Sequence, residues 1–111
     1  MDWEQYRQDV FRTVRPDLEP RERLISGALG LCGEAGEVAE ELKKHFFHGH
    51  DLDKARLSSE LGDVLWYWVL LCDTLGLSME EVVAGNVEKL RRRYPEGFSA
   101  EQSVNRPPDA L

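Results

Sequence analysis

Two short acidic signatures, Glu34-x-x-Glu37 and Glu60-x-x-Asp63, hold the side chains best suited to chemistry in this chain. Positions three apart share one face of a helix, so each pair aims two carboxylates the same way if its segment is helical. Two such helices packed side by side would bring four carboxylates to one place. Unpaired acids at that range would repel strongly, so such a cluster suggests bound cations. Oxygen ligands without cysteine or paired histidine select a hard ion, Mg²⁺ with Mn²⁺ as a possible substitute. Four carboxylates carry about −4, which two divalent ions would bring near neutrality.

The elements that must position these acids are helices. A first helix is expected over residues 2–14, with Trp3, Tyr6, Val10 and Val14 at helical spacing, Asp2 as its cap and Pro16 as its stop. A second runs from about Arg21 to Phe47, with an apolar stripe of Leu24, Ala28, Leu31, Ala35, Val38, Leu42 and Phe46. Glu34, Glu37 and Glu41 lie one residue behind that stripe, about 100° round the helix, where they border the core. Gly27, Gly30, Gly33 and Gly36 each weaken a helix by up to about 1 kcal/mol relative to alanine. They admit a close approach by another helix or a ligand, a local bend, or a poorly formed first half of the helix. His45, His48 and His50 end the helix and begin a loop, at a spacing that fits no usual zinc pattern; they are expected as exposed loop residues.

A third helix is expected from about Asp53 to Leu75, capped by Asp51 or Asp53 and ended by Gly76. Leu57, Leu61, Val64, Trp68, Leu71 and Leu75 form its core stripe, with Arg56, Glu60, Asp63 and Tyr67 one position behind. Ser78-x-x-Glu81 is a capping box that opens a fourth helix. That helix closes on Lys89, Arg91, Arg92 and Arg93, where basic residues are favourable in any case. Residues 99–111, with Pro107-Pro108, read as a polar tail without a core of its own.

The expected fold class is therefore all-α, a bundle of four to five helices, with residues 1–98 as one domain. The third helix is apolar nearly all round, from Trp66 to Leu71, and a helix of that kind is buried on every side. One small layer of helices can hardly cover it, so a homodimer or homotetramer is expected. A net charge of −7 over 111 residues argues against a nucleic-acid polymer as partner. It allows a nucleotide substrate once bound metal has reversed the local sign. Cys32 and Cys72 sit on apolar faces without a CxxC and read as reduced core thiols. No signal peptide is expected, and the longest apolar run, Val64 to Cys72, is too short to span a bilayer; a cytoplasmic location is the default.

Either acidic pair alone would read as a solvated helix face, as Glu40 and Glu41 do. Two pairs on consecutive long helices, each beside a core stripe and followed by a basic cluster, are harder to dismiss. A di-iron carboxylate bundle would need a Glu-x-x-His, and none occurs. The combined pattern resembles the MazG-like all-α nucleoside triphosphate pyrophosphohydrolases. Leu-Cys-Gly-Glu-Ala-Gly-Glu-Val-Ala-Glu-Glu-Leu at 31–42, Glu-Leu-Gly-Asp-Val-Leu-Trp-Tyr at 60–67 and Lys-Leu-Arg-Arg-Arg-Tyr-Pro-Glu-Gly-Phe at 89–98 carry the resemblance, which spans about residues 20–98.

The resemblance implies Mg²⁺-dependent cleavage of a (deoxy)nucleoside triphosphate to monophosphate and pyrophosphate by dimers or dimers of dimers. It implies Glu34, Glu37, Glu60 and Asp63 as metal ligands. Arg56 falls where some members carry a phosphate-contacting lysine, and Lys89 and Arg93 match a basic pair with the same role. The arginine at 56 keeps the charge but changes the geometry. Glu37 or Glu34, if not fully used as a ligand, could take the proton of the attacking water. From its position one turn after Asp63, Trp66 could stack on a base, although a core or interface place suits it better, and Asn86 could reach a metal or a sugar hydroxyl. A helical oligomerisation or adaptor module whose acids are only a solvated face remains the alternative from another class. A phosphoribosyl-ATP pyrophosphohydrolase is the alternative within the same architecture.

Overall fold

The structure, a computed structural model, describes residues 1–106; Pro107-Pro108 and the end of the tail lie outside the described residues. Five helices form among them: α1 (Trp3–Phe11), α2 (Pro20–Phe47), α3 (Lys54–Thr74), α4 (Met79–Arg93) and α5 (Ala100–Val104). The protein is thus all-α. No described helix is long and apolar enough to cross a membrane. The chain divides into two compact units, Met1–Gly76 and the segment from Leu77 onward.

Local chemistry sets the helix ends. Asp2, Asp53 and Ser78 each accept a backbone N–H of the following turn, which satisfies donors that the helix itself leaves open. Glu19 and Glu22 form a reciprocal capping box at the start of α2, and Pro20 occupies its first turn. Gly49 and Gly76 adopt positive φ just past α2 and α3, a conformation that costs glycine little. α1 stops at Phe11, three residues before the expected end. Thr13 turns back there, its N–H and its hydroxyl both donating to the Val10 carbonyl.

In the first unit α3 is the central element. α1 packs on it through Trp3 against Trp68, with ring centroids 5.6 Å apart, and through the Arg7–Asp73 pair at 3.4 Å. Val10, Val14, Val69, Leu70 and Cys72 are the buried apolar side chains of this unit. The α2–α3 seam can be followed contact by contact. A Cβ on Gly27 would meet Leu71 at 2.8 Å, one on Gly30 would overlap the Tyr67 ring, and Glu41 pairs with Arg56 at 3.1 Å. Rising numbers on α2 meet falling numbers on α3, so the two helices run antiparallel.

This seam corrects the expected packing of α2. The face turned to α3 is the row Gly27, Gly30, Glu34 and Glu41, at spacings of three, four and seven. The acids therefore stand in the contact, while Ala28, Ala35, Leu42 and Phe46 of the expected core stripe are exposed. Phe46 is 70% exposed, and on α3 Leu61 is 56% exposed. The glycine spacing also resolves. Gly27 and Gly30 permit close helix approach, whereas a Cβ on Gly33 or Gly36 would meet nothing within 4 Å, and α2 is continuous through all four.

The second unit holds α4, whose last turn carries Arg91, Arg92 and Arg93, and the short α5, which buries no residue. Between them Tyr94 and Phe98 bring their rings to 5.5 Å across a turn that has Gly97 at positive φ.

Gly30→Ala is expected to destabilise the protein by about 1–3 kcal/mol, because the new methyl must displace a packed ring. Gly33→Ala, which meets nothing, is expected to be neutral or to stabilise by up to about 1 kcal/mol. Denaturant midpoints of the two variants beside the parent check this; equal effects at the two glycines would show that Tyr67 does not lie against Gly30.

Candidate metal centre

Halfway along the seam, Glu34 and Glu37 of α2 meet Glu60 of α3. One carboxylate oxygen from each lies within 4.8 Å of the others, a separation that a single cation can span. This is the grouping of metal-capable side chains found among the described residues. Glu34 and Glu60 are half-buried and Glu37 is exposed. Oε2 of Glu34 is buried and accepts no hydrogen bond. A buried carboxylate oxygen without a donor is costly, a cost that a cation would offset.

The electrostatics agree. Glu60 beside Glu37 holds the Glu37 carboxyl above its ordinary pKa. Glu34 does the same to Glu60, helped by burial and by the charge of Asp63. Like charges at this range favour protonation, and a divalent ion reverses that preference. Three carboxylates and no softer donor fit Mg²⁺ or Mn²⁺.

Asp63 stands one turn on from Glu60, outside the three-oxygen group. It lines an open cavity of about 350 Å³ together with Glu34, Thr13, Trp66 and Tyr67. Its charge reaches Tyr6 as well, whose hydroxyl is raised chiefly by burial and then by Asp63. The structure thus groups three of the four acids in one cluster and sets the fourth beside it.

Arg56 does not point freely at this site. Its Nε is 3.1 Å from Glu41, which is only 16% exposed at its side chain. Glu41 is therefore not the solvated acid expected from sequence; it closes the seam one turn below the cluster. Its membership of the Glu34–Glu37 row was the signal for this, and its neighbour Glu40, which pairs with Lys43 at 3.0 Å on the surface, is the solvated one. Lys89 and Arg93 lie one turn apart near the end of α4, with Asn86 one turn before Lys89. The histidines form no cluster with the acids: His45 donates from Nδ1 to the His50 carbonyl at 2.8 Å and closes the loop after α2. Thr13 was not anticipated as a lining residue, and nothing in its local sequence marks it.

Comparison with known proteins follows the same lines. The MazG nucleotide pyrophosphohydrolase domain profile matches residues 24–98. The chain belongs to this family. It is also similar to the protein called "Gene 37 protein" of Mycobacterium phage L5, with 33% identity over 94 residues, covering 81% of this chain and 82% of that one. No solved structure gives a significant match.

The mutual repulsion predicts a metal-linked stability. Glu37 and Glu60 have raised folded pKa values, so without metal their charged forms destabilise the fold. The penalty is absent at low pH and appears as pH rises through the carboxylate range. Millimolar Mg²⁺ or Mn²⁺ is expected to raise the melting temperature by several degrees at pH 7.5 and much less at pH 5. Glu37→Gln should raise the metal-free melting temperature and shrink the metal response. Calorimetry with and without the ion decides; an identical metal response in parent and variant would remove Glu37 from the centre.

Proposed function

We propose that this protein hydrolyses a (deoxy)nucleoside triphosphate to the monophosphate and pyrophosphate with Mg²⁺, in housekeeping of a cytoplasmic nucleotide pool. The observation that carries the reading is the convergence of Glu34, Glu37 and Glu60 across the seam, with one buried oxygen left without a donor, in a chain of this family. Magnesium, when bound, supplies positive charge to the phosphate oxygens and Lewis acidity at the reacting centre.

The chain's own residues do the rest. Glu34, Glu37 and Glu60, with Asp63 beside them, would hold the ion, each from a long helix that fixes its backbone. Of the two candidate proton acceptors, Glu37 is exposed and Glu34 half-buried, so Glu37 is the better placed to take the proton of the attacking water. Arg56 exchanges Glu41 for a phosphate oxygen as substrate arrives, and Lys89 and Arg93 supply further cationic contacts. Asn86 contributes a sugar or metal contact. Residues 1–98 act as one domain, as the family match across both compact units supports. The exposed apolar side chains of α2 and α3, Phe46 and Leu61 among them, support assembly as a homodimer or homotetramer.

The test is a panel of nucleotides with Mg²⁺, scored for pyrophosphate against orthophosphate. Pyrophosphate with monophosphate is expected. Glu60→Ala and Asp63→Ala should each lower turnover on the order of a hundredfold or more. Undiminished turnover in either variant would reject that residue as a ligand, and orthophosphate as the product would reject the bond assignment.

A further inference from the structure

The acidic cavity does not stand alone in the first unit. A second, larger groove of about 830 Å³ adjoins it and shares three of its lining residues, Thr13, Trp66 and Tyr67. Beyond them its walls are mostly apolar, with Ile25 and Leu29 from α2 and Leu70 from α3, while Arg15, Glu22 and Ser26 supply its polar edge. The two recesses together run from carboxylates at one end to an apolar trough at the other, with an aromatic pair where they join. That polarity suits a ligand whose charged end meets a cation and whose other end is flat and weakly polar.

The aromatic pair is fixed by two contacts, neither of which touches the acids. The Trp66 indole N–H donates to the Thr13 hydroxyl at 2.9 Å, and that hydroxyl donates in turn to the Val10 carbonyl at 2.8 Å. Its proton is committed to the backbone, so the oxygen faces the indole as an acceptor. The Tyr67 ring stands edge-on to Trp66, with centroids 4.9 Å apart and planes at 79°. On its far side Tyr67 occupies the space that a side chain at residue 30 would need. The chain of contacts runs Val10, Thr13, Trp66, Tyr67, Gly30, and it ties the end of α1 and the first half of α2 to one aromatic wall.

We propose that Thr13 and Gly30 are positioning residues that hold Trp66 and Tyr67 as the wall against which the base and sugar of the nucleotide bind, with the apolar groove as the seat of the base. The proposal rests on the nucleotide reading of the acidic centre. Thr13 and Gly30 act through the two rings, and Thr13 also lines the cavity of Glu34 and Asp63.

The experiment uses the full chain and four variants: Thr13→Val, Thr13→Ser, Trp66→Phe and the Thr13→Val/Trp66→Phe double. Thr13→Val keeps the shape of the side chain and removes the acceptor. It is expected to raise KM for the preferred triphosphate about fivefold or more while kcat changes less than about twofold. Thr13→Ser should restore the parent value. Trp66→Phe should raise KM too, and the double variant should add little to it, because both changes break the same bond. A general structural effect would instead add in the double variant and lower kcat.

A second readout needs no turnover. Nucleoside monophosphates, without metal, should quench tryptophan fluorescence in the parent and much less in Trp66→Phe. An unchanged KM in Thr13→Val, or fully additive effects in the double variant, would overturn the proposal while the hydrolytic activity stands. If the parent hydrolyses no nucleotide, the proposed activity falls and the quench alone decides the groove: quenching lost in Trp66→Phe keeps a base site there, and no quenching in the parent removes it.

Discussion

Three carboxylates forced within 4.8 Å of one another at a helix seam are the constraint on which the rest of this structure depends. Such a contact is repulsive by itself, and it must be held by what flanks it. Above the cluster, Gly27 and Gly30 let α3 approach so closely that Leu71 and Tyr67 fill the space of the missing side chains. Below it, Glu41 and Arg56 close the seam with an ion pair. Val10, Val69 and Leu70 are the most deeply buried side chains of the unit and anchor its core. The acids are therefore placed by packing they do not themselves favour. That is the usual character of a site whose ligand supplies the missing charge.

The same arrangement explains why the apolar surface is so unevenly used. With the acid row turned to α3, the stripe beside it on α2 is only partly covered: Leu24, Leu31 and Val38 are half-buried, and Ala28, Ala35, Leu42 and Phe46 are left outside. Leu61 and Leu75 on α3 share that fate. A helix whose seam is polar and whose flank is apolar inverts the ordinary division between core and surface.

A polar centre and an apolar trough meet at Trp66 and Tyr67, and this junction gives the site its direction. Tyr67 belongs to the acid row of α3 by spacing, whereas Trp66 points round towards α1 and finds Thr13. Two adjacent residues on one helix thus join two different layers. This is possible because consecutive positions differ by about 100°.

The acidic pairs, the helix starts at Asp2, Asp53 and Ser78, the stop at Gly76 and the all-α class were legible in the sequence, because each is a local matter of spacing, caps and turn chemistry. Family membership was legible too, since the motif surroundings are contiguous runs of residues. The rotation of α2 about its own axis was not. Periodicity marks an apolar stripe but cannot say whether α3 will lie on that stripe or beside it, and the glycines at 27 and 30 decided in favour of the acids. Spacing put Glu41, and not Glu40, in the row of Glu34 and Glu37, but that Glu41 would pair with Arg56 across the seam depended on the fold. Thr13, 53 residues from Trp66, is joined to it only by the folded chain. Sequence by itself determined which groups could carry the chemistry, because residue type and helical spacing are local; tertiary structure alone decided which of them meet, because meeting depends on how closely and at what rotation two distant helices can approach.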